Sequence, residues 1–420
     1  MKNFFTLLFG IILFPFVHAQ HSYNINFLHD SIKVYGNLTV PIGTGKFPII
    51  IINPGTGAVD RNGTIPFTDA NSQCLYPNLF GETMLSYKEL GDSLVALGYA
   101  VLRYDKLEYT YGSNIGAITF HKLWLPVESA IRYVKLRSEL DTTRIILLGH
   151  SEGSTLIPFI ANGRQDIKAM VSLAGPRTPI DTLVAWQYNQ LYQLFKPCGA
   201  GPSDSIALKA LGDEWLDYFE LIRTSSWDEN TPTFYGVPAS TWADYVPATD
   251  AVADHYNSDN LPTLFIGLEK DLNVPPSELL RLQEDVTITD DFWTIPDCIH
   301  YLCTPHEAHL CPGLADTIVS WLNEVFTTAV KEPLDIADDF INVFPNPFTS
   351  SVKLHIDLSK FNPSSFSIMD ANGHVIMTRS LPRGEYQYGT SLDLDFLPAG
   401  IYYLSIPVGG RQLVKKLVKE

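Results

Sequence analysis

From about residue 30 to residue 330, short apolar runs alternate with helix-length amphipathic stretches. Each run is apolar at most positions, as in strands that are covered on both faces of a sheet. The runs lie at 47–52, 99–104, 145–148, 169–174 and 263–268. The predicted helices lie between or after them, at 87–97, 123–138, 154–161 and 313–326. A strand–helix–strand series predicts an α/β fold with a mostly parallel sheet and right-handed crossovers.

The alternation stops between about residues 176 and 260, where the chain is helix-leaning and rich in aromatic residues. An insert of this size after a sheet strand predicts a helical cap over the functional site. We expect most of its rings to pack in the insert's own core and a few to line an acyl pocket. The rings are Trp186, Tyr188, Tyr192, Trp215, Tyr218, Phe219, Trp227, Phe234, Tyr235, Trp242 and Tyr245.

The N-terminal residues 1–19 have the order of a secretory signal peptide. Lys2 supplies the positive start, residues 4–17 are apolar, and Ala19 precedes the predicted cleavage site. A single membrane anchor is the alternative, but the apolar run is too short to span a bilayer comfortably. No other stretch reaches transmembrane length, so we expect no integral membrane segment.

The character of the chain changes near a predicted linker that begins at Lys331. Beyond it, short alternating strands with turn signals predict a small C-terminal β-sandwich. The strands are predicted at 352–356, 365–369, 375–378 and 401–405, and the turns at 370–373 and 397–400. The predicted organisation is a signal peptide at 1–19, a catalytic domain at 20–330, and the linker with the second domain at 331–420.

Composition narrows the classes of function. Apolar residues make up 45% of the chain and charged residues 18%, which suits a packed globular enzyme and disfavours disorder. The formal net charge of −17 disfavours nucleic acid and anionic membranes as partners. Five cysteines fit an exported protein with one or two disulfides and an unpaired thiol.

The segment 149–153 reads Gly-His-Ser-Glu-Gly and carries the candidate chemistry. The predicted strand 145–148 precedes it and the predicted helix 154–161 follows it. This order predicts the nucleophile elbow of the α/β-hydrolase fold, with Ser151 on a strained turn beside a helix N-terminus. The glycines are required because strand and helix approach closely there.

A serine hydroxyl needs a base, and the base needs an orienting carboxylate. In this fold the acid follows the nucleophile in the chain and the histidine comes last. Asp271, in the loop after the strand predicted at 263–268, is the predicted acid. Glu269 is the alternative, although it lies nearer the strand and could serve only to cap or solvate the loop.

His300 is the predicted base because it is the first histidine after the apparent last strand, at 291–295. His306 and His309 are the alternatives, and we expect them to be solvated loop residues. Zinc is a rival interpretation of this region, which contains Cys298, His300, Cys303, His306, His309 and Cys311. No C-x2-C pair occurs, and the spacings 298–303 and 303–311 suit a small disulfide loop, so we expect neither metal nor cofactor.

An oxyanion hole needs two backbone amides aimed at the developing negative oxygen. Glu152, which follows the nucleophile, is expected to supply one. The loop after the strand predicted at 47–52 is expected to supply the other, from Thr56 or else Gly57. Small residues in that loop let the backbone approach a substrate.

These segments resemble a bacterial esterase branch of the α/β-hydrolases. The similar segments are 55–63, 102–106, 149–153, 267–271 and 299–302. The resemblance spans about residues 30–330 and implies a carboxylesterase that acts on short acyl esters. Asp60, Arg61, Arg103 and Asp105 are expected to form a buried ion network that braces the first loop.

The tail resembles the C-terminal sorting domain of the type IX secretion system over about residues 338–420. The similar elements are 345–348, the Asn372-Gly373 turn, 397–402 and the basic segment 415–419. The resemblance implies passage through the outer membrane, with the type IX machinery as partner, followed by release or surface attachment. A carbohydrate-binding or adhesive domain is the alternative, but the tail contains no tryptophan to stack on a sugar.

The sequence therefore predicts a secreted serine hydrolase that cleaves small carboxylic esters through Ser151, Asp271 and His300. A peptidase of the same fold is the first alternative, because it would use the same three residues. A non-catalytic surface binding protein is the second.

Overall fold

The computed structural model describes residues 20–29, 31–112, 119–234, 237–258, 261–286, 291–328, 341–357, 365–370, 375–381, 387–408 and 411–420. The predicted signal peptide, residues 331–340 of the predicted linker, Tyr235 and the Asn372-Gly373 turn lie outside these ranges. The chain divides into two compact units, one ending at Ser320 and the other beginning at Trp321.

The first unit is built on a mostly parallel sheet. The strands described before residue 300 are β1 (Gln20–His29), β2 (Ile32–Pro41), β3 (Phe47–Asn53), β4 (Thr64–Pro66), β5 (Thr83–Leu85), β6 (Ala100–Tyr104), β7 (Leu140–His150), β8 (Ile167–Leu173), β9 (Thr263–Leu268) and β10 (Asp291–Ile295). Apart from the β4–β5 hairpin, they form one sheet in the order β1-β2-β6-β3-β7-β8-β9-β10. Neighbours from β6 to β10 are parallel, whereas β1 and β2 pair antiparallel. The predicted α/β sheet is confirmed.

The centre of this sheet is buried on both faces. Residues 49–52 of β3 are all isoleucine and at most 1% exposed, and residues 145–148 of β7 are fully buried. The parallel register places Asn53, at the end of β3, beside Gly149 in β7. The loops that follow these two strands therefore meet at one edge of the sheet, which is where ligands bind in open α/β folds.

The pattern of apolar runs does not predict β1 and β2. In β1 exposed and buried residues alternate toward the end, where Ile25, Phe27 and His29 are buried. An antiparallel edge strand is packed against the core on one face only, so its apolar residues alternate with polar ones and do not form a continuous run.

The described helices are α1 (Ala70–Leu75), α2 (Ser86–Ala96), α3 (Leu107–Tyr111), α4 (Phe120–Val134), α5 (Glu152–Ala161), α6 (Ile180–Phe195), α7 (Pro202–Arg223), α8 (Ala239–Asp250), α9 (Val252–Ser258), α10 (Ser277–Asp285) and α11 (Leu314–Thr328). The four predicted helices correspond to α2, α4, α5 and α11. Helix α4 begins earlier than predicted because Thr119 caps it, accepting from the Lys122 amide at 3.3 Å. Across the described ranges, none of these helices has the length and apolarity needed to cross a membrane.

Helices α6–α9 form a helical insert between β8 and β9. Trp215 lies at the centre of its core. The centroid of its ring is 4.6 Å from that of Phe234, 5.2 Å from that of Phe219 and 5.7 Å from that of Trp242. Most aromatic rings therefore build the insert's own core, as predicted. A disulfide joins Cys198, just after α6, to Cys74 in α1 and so ties the insert to the main body of this unit.

The second unit is a β-sandwich, as predicted. Its strands are β11 (Ile341–Phe344), β12 (Ser351–Asp357), β13 (Ser365–Met369), β14 (Val375–Ser380), β15 (Gln387–Asp393), β16 (Gly400–Val408) and β17 (Arg411–Lys419). They form two antiparallel sheets, β11-β12-β15 and β14-β13-β16-β17. Val352 and Leu354 of one sheet share a core with Phe366 and Leu404 of the other. The basic segment 415–419, not predicted as a strand, lies within β17.

Candidate active site

Ser151 lies at the turn between β7 and α5. Its φ of 54° is in the left-handed range that non-glycine residues rarely adopt. The Ser151 amide donates to the Leu173 carbonyl at 2.9 Å, which ties the turn to β8. Because Ser151 immediately precedes α5, it lies beside amides that have no partner within the helix.

Small residues on both sides of Ser151 allow the strand and the helix to approach each other. A Cβ atom on Gly149 would collide with the Gly153 carbonyl, and one on Gly153 would collide with the Asn53 carbonyl. The side chain of Asn53 donates from Nδ2 to the Gly153 carbonyl at 3.2 Å. The end of β3 therefore braces the turn that carries Ser151.

Asp271 and His300 are brought together by the loops after β9 and β10. The Nδ1 atom of His300 lies 2.7 Å from Oδ2 of Asp271, and both side chains are buried. The other carboxylate oxygen of Asp271 accepts from the amides of Asn273 and Val274, each at 2.8 Å. These bonds hold the carboxylate in a single orientation, which in turn sets the ring orientation of His300.

The alternative acid and bases lie at the surface. Glu269 is exposed and accepts from the Asp297 amide at 2.8 Å. His306 contacts Asn78 at 3.1 Å, and the exposed His309 lies 3.5 Å from Glu89. Neither histidine lines the cavity described below.

A disulfide between Cys298 and Cys311 closes the loop that carries His300. A small disulfide loop is therefore present in this region, but it joins Cys298 to Cys311 and uses neither of the spacings 298–303 and 303–311. The loop folds back on itself, and Cys303 and Leu310 form an antiparallel pair of backbone hydrogen-bonding residues. This fold places the Cα atoms of Cys298 and Cys311 5.7 Å apart. Cys303 is a free, buried thiol. In the described part of the chain, no group of three or more His, Cys, Asp or Glu side chains is placed to hold a metal ion.

A cavity of about 300 Å³ opens at the end of the sheet. Ser151, His300, Thr56 and Glu152 line it from the body of the unit. The insert contributes mostly aliphatic side chains together with a few polar ones. They are Ile180, Leu183, Val184, Gln187, Tyr245, Thr249 and Val252. Of the insert's described aromatic residues, Tyr245 alone lines the cavity, so its apolar wall is chiefly aliphatic.

The two predicted sources of the oxyanion hole face the same cavity. Glu152 is the first residue of α5, so its amide has no acceptor within the helix. Thr56 lines the cavity, and its amide has no hydrogen-bond acceptor among the described residues. Gly57, the alternative donor, is not a lining residue. The neighbouring Gly55 amide is already engaged, because it donates to the Tyr87 hydroxyl at 2.9 Å.

His150 forms a connection that the sequence does not predict. Its Nδ1 atom lies 2.9 Å from the Tyr87 hydroxyl, and its Nε2 atom lies 3.0 Å from the His300 carbonyl. Burial, together with the nearby His300, lowers the pKa of His150 well below its usual value, so the ring stays neutral. His150 therefore links the base loop to the loop of Gly55. The elbow pattern leaves this position variable and carries no signal for the role.

A second unpredicted connection joins Lys106, Glu152 and Tyr245. The ammonium of Lys106 lies 2.7 Å from Oε2 of Glu152, and the Tyr245 hydroxyl donates to Oε1 at 2.9 Å. Lys106 also donates to the Gly55 carbonyl at 3.0 Å. Lys106 lies two residues after the buried strand β6, at the end of the segment 102–106 that resembles the esterase branch, but neither feature predicts its partners.

The predicted ion network is present in part. Arg61 pairs with Asp105, with 2.6 Å between Nη2 and Oδ2, and donates to the Gly36 carbonyl. Arg103 donates to the Arg61 carbonyl at 3.2 Å. Asp60 instead accepts from the amide and the hydroxyl of Thr64, because the turn 60–64 directs its carboxylate toward that residue.

Comparison with known families identifies the second unit. Residues 342–420 match the family described as a secretion system C-terminal sorting domain. This match confirms the predicted sorting domain and covers nearly all of the β-sandwich. The chain therefore carries a signal for secretion to the cell surface or the surrounding medium.

The first unit is similar to esterases. Esterase EstD of Thermotoga maritima is 30% identical over 160 residues, which make up 38% of this chain and 34% of that protein. The match thus spans about a third of the length of this curated relative. Est1E from Butyrivibrio proteoclasticus is 18% identical with a TM-score of 0.44, over 72% of this chain and 99% of that one.

The esterase domain of a Rhodothermus marinus protein is 14% identical with a TM-score of 0.42, over 72% of this chain and 97% of that one. The architecture of the first unit itself, with its parallel strands, elbow and helical insert, is that of an α/β-hydrolase. The chain therefore joins an α/β-hydrolase-fold domain, similar in part to a known esterase, to a secretion system C-terminal sorting domain.

Proposed function

We propose that this protein is a serine hydrolase of carboxylic esters, with Ser151 as nucleophile, His300 as base and Asp271 as the orienting acid. One observation carries the proposal most directly. The Asp271–His300 hydrogen bond of 2.7 Å lies at the cavity into which the strained Ser151 turn projects. Strain at a non-glycine residue beside a buried acid–histidine pair is typical of a nucleophile site.

In the proposed mechanism, the Ser151 hydroxyl attacks the ester carbonyl while His300 accepts its proton. The amides of Glu152 and Thr56 stabilise the negative oxygen of the tetrahedral intermediate. His300 returns the proton to the leaving alcohol, and an acyl group remains on Ser151. Water, activated by His300, then hydrolyses this acyl-enzyme and frees the serine. Asp271 keeps the imidazole oriented and stabilises its protonated form in both steps.

The charges of the cavity favour a neutral ester over a peptide amino terminus. Among the described lining residues, Glu152 alone carries a carboxylate. The charge of that carboxylate is already balanced by Lys106, and its other oxygen accepts from Tyr245, so it attracts a second ammonium group only weakly. The aliphatic side chains of Leu183, Val184 and Val252 suit an uncharged acyl chain instead.

The proposed partners are a small-molecule ester and the type IX secretion machinery. The sorting-domain match supports the second of these, because the β-sandwich makes up that domain. Ester hydrolysis then takes place outside the cell, after export.

The proposal can be tested by measuring the activity of the full chain on two sets of substrates. The first set is p-nitrophenyl acetate, butyrate and decanoate, and the second is alanyl and prolyl p-nitroanilides. We expect the short esters to be hydrolysed fastest and Ser151→Ala to lower kcat roughly a millionfold, to background. A fluorophosphonate probe should label the wild type and Ser203→Ala, a surface serine variant, but not Ser151→Ala. A preference for the anilides would show that the protein is a peptidase and not an esterase. The absence of both labelling and turnover would show that it is a non-catalytic binding protein.

A further inference from the structure

The buried side chain of Lys106 contacts both walls of the proposed oxyanion hole. It extends from the segment between β6 and α3, and only 7% of it is exposed. Its ammonium donates to the Gly55 carbonyl at 3.0 Å and to Oε2 of Glu152 at 2.7 Å. Gly55 precedes Thr56, and Glu152 follows Ser151, so each contact lies at one of the two expected amide donors.

The contact with Gly55 constrains the direction of a single amide. The Gly55 carbonyl and the Thr56 N–H belong to one peptide unit, which is planar and whose two groups point in opposite directions when trans. Anchoring the carbonyl on Lys106 therefore directs the Thr56 N–H away from Lys106. The N–H of Gly55, which belongs to the preceding peptide unit, donates to the Tyr87 hydroxyl at 2.9 Å, so the backbone is held on both sides of the Gly55 Cα atom.

The contact with Glu152 constrains the other wall. Both carboxylate oxygens of Glu152 are engaged, one by Lys106 and one by the Tyr245 hydroxyl at 2.9 Å. Glu152 is the first residue of α5, and its own amide is the second expected donor. Because both oxygens of Glu152 are held, the movement of its backbone amide at the start of α5 is restricted.

Lys106 carries a charge in this setting. Burial lowers the pKa of Lys106, but the carboxylates of Glu152 and Glu108 outweigh that effect and leave the pKa above its usual value. Glu108, at 3.7 Å from the ammonium, is partly exposed. The cation therefore stays protonated and keeps its hydrogens for Gly55 and Glu152.

We propose that Lys106 is a positioning residue that aligns the two amides of the oxyanion hole with each other. This inference rests on the proposed function, because it concerns the same hydrolytic site. A purely structural ion pair would affect stability alone. A positioning residue affects the stabilisation of the tetrahedral intermediate and leaves substrate binding nearly unchanged.

The test compares Lys106→Met, Glu152→Gln and the double variant, with Lys209→Met as the control that removes an exposed lysine of α7. Lys106→Met leaves Glu152 buried without its cation, which lowers stability. The double variant removes both charges, and we expect it to keep the wild-type melting temperature within a few degrees.

In the folded double variant, we expect kcat on p-nitrophenyl butyrate to fall roughly 10- to 100-fold with KM within about twofold. The affinity for a trifluoromethyl ketone, which forms an oxyanion adduct, should fall by a similar factor. Unchanged kcat, a change confined to KM, or a double variant that does not fold would overturn the role of Lys106. Failure of the wild type to hydrolyse esters would instead overturn the proposed function.

Discussion

The imidazole Nδ1 of His300 lies 2.7 Å from the Oδ2 atom of Asp271, although 29 residues separate the two in the chain. Asp271 follows β9 and His300 follows β10, and these strands are parallel neighbours at the edge of the sheet. Parallel strands end at the same edge, so the loops after them meet. The pairing is thus a consequence of topology, and it determines which nitrogen of His300 faces the cavity.

Replacing Asp271 by Asn should lower kcat by roughly ten-thousandfold, because the amide no longer stabilises the correct tautomer and the imidazolium. The change in stability should be small, since the Asn oxygen can still accept from the amides of Asn273 and Val274. Steady-state kinetics on a p-nitrophenyl ester measure the effect. Glu269→Gln is the matched control, because Glu269 is exposed. If Glu269→Gln lowers kcat by the same factor, then the assignment of Asp271 as the orienting acid is wrong.

The neutral state of His150 makes stability depend on pH. Its pKa is held well below 6.5 by burial and by His300, so the unfolded chain binds one more proton as the pH falls through about 6.5. The free energy of unfolding should therefore decrease with falling pH below that point. His150→Gln removes this contribution, so its melting temperature should change less between about pH 7.5 and 5.5.

The exposed His309→Gln variant is the control for the His150 experiment, and it should follow the wild-type pH dependence. If His150→Gln and the wild type lose melting temperature in parallel over this range, then His150 is not held neutral in the folded protein.

The Cys303 thiol should be unreactive in the folded protein. It is fully buried, and burial raises its pKa to about 12, so the thiol stays protonated at mildly alkaline pH. Titration with a disulfide reagent near pH 8 should find no reactive thiol in the native protein and one after denaturation without reductant. Rapid reaction of the native protein would contradict the burial, and three thiols after denaturation would mean that one of the two disulfides is absent.

The disulfide between Cys74 and Cys198 should stabilise the attachment of the insert. It closes a loop with a sequence separation of 124 residues. The chain-entropy model places the stabilisation at no more than roughly 4–5 kcal/mol. Cys74→Ser/Cys198→Ser should lower the denaturant midpoint and speed proteolysis within α6–α9. If the midpoint and the cleavage rate both match the wild type, then the bond does not restrain the insert.

Much of the architecture follows from local sequence. Six predicted strands of the main sheet occur as β3, β6, β7, β8, β9 and β10. The first five are continuous apolar runs, as a parallel sheet covered on both faces requires, whereas the edge strand β10 is mostly exposed. The antiparallel β1 and β2 were harder to predict, since half of the β1 side chains near its end face solvent. In the tail, the pattern does not predict β11, β15 and β17 for a similar reason, because the apolar alternation of short half-buried strands is weak.

Interactions between neighbouring residues are enough to specify the local elements of this protein. A strand, a Gly-x-Ser-x-Gly turn and a helix require only local backbone sterics, so Ser151 could be placed on the elbow without any knowledge of the rest of the chain. The tail motifs likewise identified the sorting domain, because its signals lie close together along the chain.

The pairings between distant segments can be read only from the folded chain. It placed Cys298 opposite Cys311 rather than Cys303, and it joined Lys106 to Glu152 across the ends of β6 and β7. Such pairings depend on how loops fold over a completed sheet, where distances of a few ångströms separate a bond from none. A one-dimensional pattern carries no measure of those distances.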